Sequence, residues 1–284
     1  MIFDILTFGF MQRALITGVA IAIICSIMGL FLVLKRQSLF GDALSHVAFG
    51  GIAVGLFTNV YPLWTAFIIS VLAAIGMTKL RETAKIPPDS AVAVLLSSGL
   101  AVGLVLISIS GGFRLDLFSF LFGSILLVSE SDMALILIVS AGILLILSLI
   151  YKKLIYVTFD EEQAEAAGIR VRSINYLFII LSSITVIASI RLVGVLLISS
   201  LIVIPNVTAL TLRKGFRTTI YISCIISTGS VMLGIIVSYL ANVSPSGAIV
   251  LTDTTIFFGV LIGRYINRKI HNSKLEITAS NAEA

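Results

Sequence analysis

Asp42 and His46 are the pair in this sequence whose types and spacing best suit chemistry. Four positions apart on a helix, their side chains share one face with Cβ atoms about 6 Å apart, so a carboxylate oxygen and an imidazole nitrogen can converge on one divalent cation. Ser45 flanks them. A structural reading is also open at this level: Asp42 can cap the start of a helix, and His46 can be a buried neutral ring bonded to a carbonyl. Two ligands fall short of the roughly four that zinc usually takes, so a complete site needs water, another span or the same pair from a second copy.

Other polar residues stand where lipid should exclude them, and each is a candidate on that ground. Asp253 lies among Thr252, Thr254 and Thr255, either lining a polar passage or paired within a helical bundle. Arg114 and Asp116 fall in a short apolar stretch, Phe113 to Val128, as gate residues or interfacial anchors. Asn206 follows Pro205, which breaks a further apolar run. The longest polar connection, Lys152 to Ser173, holds a different pattern. Asp160 is placed to cap a short helix, Glu161, Glu162 and Glu165 crowd its positive end, and Gly168 supplies a left-handed stop. Such a helix is either a solvated loop or a docking knob for a soluble partner. The sequence has no Walker loop, no His-Glu-x-x-His helix and no Gly-x-Ser-x-Gly elbow, so nucleotide hydrolysis and peptidase or lipase chemistry have no candidate site.

The elements that must position these residues are set by composition. Of 284 residues, 58% are hydrophobic and 12% charged, and the mean hydropathy is +1.15. That excludes a single water-soluble globule and predicts an all-α, polytopic transmembrane helical bundle in the cell membrane, with lipid as its solvent. Nine spans are predicted: Ala14 to Leu34, Phe40 to Phe57, Pro62 to Leu80, Ser90 to Ile109, Met133 to Tyr151, Ile174 to Ile190, Leu192 to Leu212, Thr218 to Leu240 and Gly247 to Gly263. Phe113 to Val128 is short for a crossing and reads as a re-entrant or gating helix. With nine spans and the N-terminus outside, every Lys and Arg except Arg13, Arg114 and Arg191 lies inside, the stronger positive-inside bias of the alternatives. The first span has no cleavage site and reads as retained. Cys25 and Cys224 fall inside spans, where a disulfide framework has no role. The net charge of +5 sits at span ends and forms no patch for nucleic acid. Residues 1–270 read as one transmembrane domain and 271–284 as a polar, disordered tail.

Four segments in order give the chain a resemblance. Gly41-Asp42-Ala43-Leu44-Ser45-His46 is similar to an Asp-x-x-Ser-His signature, Asp89 to Gly103 follows in the fourth span, Phe159 to Gly168 is similar to a Phe-Asp-Glu-Glu loop, and Gly194 to Ala209 is similar to a Gly-x-x-Leu run leading to Pro and Ala. Together they resemble the permease subunit of the manganese, zinc and iron ABC importers of the ABC-3 group, with a type II importer bundle. The resemblance implies a homodimer, a cytoplasmic ABC ATPase subunit and an extracellular or periplasmic metal-binding protein. It implies no resident cofactor, only a transported divalent ion contacted by Asp42 and His46. The Asp160 to Gly168 helix becomes the ATPase-coupling element and Phe113 to Val128 a gating helix. A cobalamin or siderophore permease and an intramembrane metalloenzyme are the rival expectations. One carboxylate and one imidazole suit Mn²⁺, Fe²⁺ or Zn²⁺ alike, so metal identity rests on geometry and on the upstream binding protein.

Overall fold

The computed structural model describes residues 8–84, 87–110, 120–124, 128–195 and 198–282. Ten α-helices follow in order among them: α1 (Gly9–Leu34), α2 (Phe40–Thr58), α3 (Pro62–Ala84), α4 (Pro88–Ile109), α5 (Glu130–Phe159), α6 (Glu161–Ala166), α7 (Val171–Val193), α8 (Ile198–Thr211), α9 (Phe216–Ala241) and α10 (Pro245–Ala282). Eight are long and apolar enough to cross a membrane. Their ends carry chemistry that the sequence encodes. Ser129 and Asp132 form a capping box at the start of α5. Arg36, Asn59, Arg213 and Asn242 take left-handed conformations just beyond α1, α2, α8 and α9, which ends each helix sharply.

The helices sort into two packed groups. In one, α2 packs against α3 and α4; in the other, α1 lies against α5, α8, α9 and, through Cys25 and Ser189, α7. Helix α7 also touches α2 and α3, and α8 also touches α2, so these two join the groups. Without a hydrophobic driving force between helices in lipid, close approach at small residues has to bind them. A Cβ at Gly50 would come within 2.8 Å of the Gly99 carbonyl oxygen, and one at Gly99 within 2.7 Å of Val47 Cα. The glycines of α2 and α4 therefore permit close contact.

Two elements differ from the sequence expectation. The predicted seventh span, Leu192 to Leu212, is instead a helix of 14 residues, about 21 Å long, because Leu192 and Val193 belong to α7 and the backbone breaks at Gly194. Non-helical backbone at membrane depth is tolerated only inside protein, and the break is so placed. Gly194 (φ +80) lies against the backbone of Leu121 and Gly123, while Gly123 (φ +69) lies against that of Leu192 and Val193. Either side chain would collide with the opposite strand of backbone. The second difference is the tail: α10 continues to Ala282, since neither Gly nor Pro interrupts residues 264–282.

Gly194→Ala is expected to cost about 1–3 kcal/mol, from forbidden φ and collision together. Gly76→Ala, at an exposed helical position with open space around it, is expected to be neutral or to stabilise by up to about 1 kcal/mol. Thermal unfolding of the two variants in detergent checks the contrast.

Candidate metal site and coupling helix

Asp42 and His46 lie in the first two turns of α2, at the end joined to α1 by the short corner Lys35 to Leu39. Both side chains point the same way, with His46 Nε2 3.8 Å from Asp42 Oδ1. From Gly41 to Ala53 these two are the residues that keep some accessibility, His46 at 14% and Asp42 at 24%, while their neighbours are buried. The polar pair is thus the accessible part of an otherwise buried stretch of the helix. Neither structural alternative is met. Leu39 is the N-cap of α2 and no side chain caps it, so Asp42 is not a cap, although its charge suits the positive end of the helix. His46 Nδ1 is buried and finds no hydrogen-bond partner, so the ring is not fixed by a carbonyl. Nε2, the ring nitrogen on the carboxylate's side, and Asp42 Oδ1 form a nitrogen–oxygen pair that a cation can complete.

The acidic segment forms the helix its sequence specifies. Asp160 caps it by accepting from the Gln163 amide at 2.9 Å. Bonds from Gly168 to Glu165 and from Ile169 to Ala164 close its far end around Gly168, whose φ is +79. Ala164 is buried against the bundle; Glu161, Glu162, Glu165 and Gly168 are exposed. Glu161 has partners in distant sequence. Lys35 Nζ lies 3.3 Å from Glu161 Oε1 and 2.8 Å from Asn175 Oδ1, and Asn175 Nδ2 donates to Glu161 Oε1 at 3.1 Å. Burial holds the Lys35 ammonium below the ordinary lysine range, an effect that Glu161 partly offsets and Arg81 adds to. Sequence spacing could not reveal this joint, since Lys35 and Glu161 are 126 residues apart.

The remaining candidates are elsewhere. Asn206 is fully buried in a polar chain: Ser26 Oγ donates to Ser223 Oγ at 2.8 Å, and Ser223 Oγ to Asn206 Oδ1 at 2.6 Å, which ties α1, α9 and α8 together. Asp253 is fully buried in α10, and neither carboxylate oxygen has a hydrogen-bond partner. Its helix packs on α7, α8 and α9, whereas the helix of Asp42 and His46 packs on α3, α4, α7 and α8. Arg114 and Asp116 lie outside the described residues.

The profile of the ABC 3 transport family matches residues 7–264. A "Probable metal transport system membrane protein" of Treponema pallidum is 35% identical over 263 residues, 93% of this chain and 98% of that protein. "Manganese import system permease protein ScaB" of Streptococcus gordonii is 34% identical over 267 residues, 93% of this chain and 96% of that one. Among solved structures, one described as PsaBC from Streptococcus pneumoniae in complex with Fab superposes with a TM-score of 0.82 at 33% identity, covering 91% of this chain and 94% of the other.

Asp253→Asn keeps the shape and removes the charge; its melting temperature in detergent is expected to stay within about 4 °C of the parent protein, the equivalent of roughly 1 kcal/mol. Asp253→Lys, with no room or counter-charge for a longer cation, is expected to yield aggregated rather than monodisperse protein in size-exclusion chromatography.

Proposed function

The chain belongs to the ABC 3 transport family, and from that premise we propose that it is the membrane-spanning permease of an ATP-driven importer of a divalent transition metal, with Mn²⁺ as first candidate. The observation that carries the reading is that Asp42 and His46 share one face of α2, with His46 Nε2 3.8 Å from Asp42 Oδ1, and keep accessibility where the rest of Gly41 to Ala53 is buried. The relatives named for manganese and metal transport support the cargo class.

The cation is cargo, so binding has to be weak enough to release it. Among the described residues no third His, Cys, Asp or Glu joins the pair in a metal-holding group. A carboxylate and an imidazole with water replace part of the hydration shell and neutralise one charge, enough to hold a passing ion briefly. ATP hydrolysis belongs to a separate cytoplasmic subunit, which docks on the exposed acidic face of α6. Two copies of the chain line one pathway, fed from outside by a metal-binding protein. Alternating access follows: closure of the ATPases moves α6, the helical groups tilt, and the pair is exposed first to one side and then to the other. A cobalamin or siderophore permease would have no use for an acid one helical turn before a histidine. An intramembrane metalloenzyme would need a tightly retained ion, for which a two-residue site is too sparse.

Asp42→Ala and His46→Ala are each expected to lower cellular Mn²⁺ accumulation by about 100-fold or to background while the protein still inserts and co-purifies with its ATPase. Uptake of radioactive manganese into cells lacking the native importer reads this out, and normal uptake in both variants would remove the site assignment.

A further inference from the structure

We propose that Lys35 is the joint through which α6 moves the metal-bearing end of α2, a positioning role for the Lys35–Glu161–Asn175 cluster. The inference rests on the reading of α6 as the ATPase-docking helix. Three observations carry it. First, Lys35 is the one cation of the α1–α2 corner that is withdrawn from solvent, with 8% of its side chain exposed, and its two polar partners come from α6 and α7. A lysine kept in that position loses hydration that Glu161 and Asn175 partly replace, so separating it from them carries a cost.

Second, the corner it belongs to is stiff. Lys35 N bonds to Phe31 O, Arg36 N to Val33 O, Gln37 N to Leu32 O and Phe40 N to Gln37 O, all between 2.8 and 3.1 Å, with Arg36 in the left-handed region. Displacement of Lys35 therefore displaces the start of α2, and Asp42 is two residues into that helix beyond Phe40. Third, the neighbouring packing leaves little slack. A Cβ at Gly29 of α1 would lie 2.5 Å from Asn206 Nδ2, and one at Gly41 of α2 would lie 3.0 Å from Ile202 Cδ1, so α1, α8 and the residue next to Asp42 are already in close contact. A cavity of about 240 Å³ lined by Lys35, Gln37, Thr78, Arg81, Glu161 and Asn175 lies beside the joint.

At its other end α1 is held as well. Arg13 Nε donates to Val128 O at 3.1 Å and Arg13 Nη1 lies 3.5 Å from Glu130 Oε1. With 26 residues, α1 is a strut about 39 Å long between the α6 joint and the segment leading into α5. A pull on Glu161 thus reaches the Asp42–His46 pair through the corner and the opposite face of the bundle through the strut.

The test is the number of Mn²⁺ ions transported per ATP hydrolysed, measured in proteoliposomes with the complete importer and its metal-loaded binding protein. For Lys35→Met, the ATPase is expected to co-purify as before and to hydrolyse ATP within about two-fold of the parent rate, while ions per ATP fall about ten-fold or more. The charge swap Lys35→Glu with Glu161→Lys is expected to recover part of that ratio. An unchanged ratio in Lys35→Met, or transport and hydrolysis falling in step, overturns the joint. Should Lys35→Met fail to fold, Asn175→Ala, which leaves both charges, carries the same expectation at about three-fold. Glu162→Lys with Glu165→Lys tests the docking reading separately. If the ATPase co-purifies undiminished with that variant, docking on α6 is wrong, whatever the ratio in Lys35→Met.

Discussion

In hydrocarbon a polar group has no water to fall back on, and that constraint organises the whole molecule. Most hydroxyls in the bundle meet it locally. Thr185 and Ser189, like Ser182 and Ser183, donate to carbonyls one turn back, and Ser26, Ser223 and Asn206 satisfy one another between helices. Against that background an unsatisfied group is a signal. His46 Nδ1 is such a group, on the ring whose other nitrogen, Nε2, faces the Asp42 carboxylate at 3.8 Å. Asp253 is another, fully buried in α10.

The same constraint explains why the backbone breaks where it does. A helix that stops at Val193 leaves carbonyls at its end that lipid could not satisfy. The break is lodged against residues 121–123, with a glycine on each side so that two backbones meet without Cβ atoms between them, and Ser246 of α10 donates to Phe122 O at 2.6 Å. The enclosed break leaves α8 short and central, in contact with both helical groups. The joint at Lys35 lies toward the end of the bundle that carries α6. Helices of the two groups are thus linked at a few points of close fit, which is the arrangement a rocking transporter needs.

Much of this was legible in the sequence because it depends on local pattern. Apolar runs mark the spans, Asp160 and Gly168 mark the ends of α6, and the four-residue spacing of Asp42 and His46 puts them on one face. What local pattern could not give were features that depend on which helices become neighbours. The run from Leu192 to Leu212 is apolar throughout and reads as a full span; only the packing of Gly194 on Gly123 shows why it breaks. Polarity alone suggested disorder after residue 270, yet the absence of Gly or Pro lets the helix run on. Lys35 was legible as a positive charge at the inner end of a span, and its partners Glu161 and Asn175 are visible only in three dimensions.

The central claim is that an imidazole nitrogen of His46 and a carboxylate oxygen of Asp42 coordinate the ion in transit. Electron spin-echo modulation of Mn²⁺ held in the importer is the most direct measurement, because nitrogen coupled to the metal gives a signature that water and carboxylate oxygen do not. The expected result is a nitrogen coupling that vanishes in the His46→Ala protein. A bound Mn²⁺ showing oxygen and water ligation alone, identical in the two proteins, would contradict it.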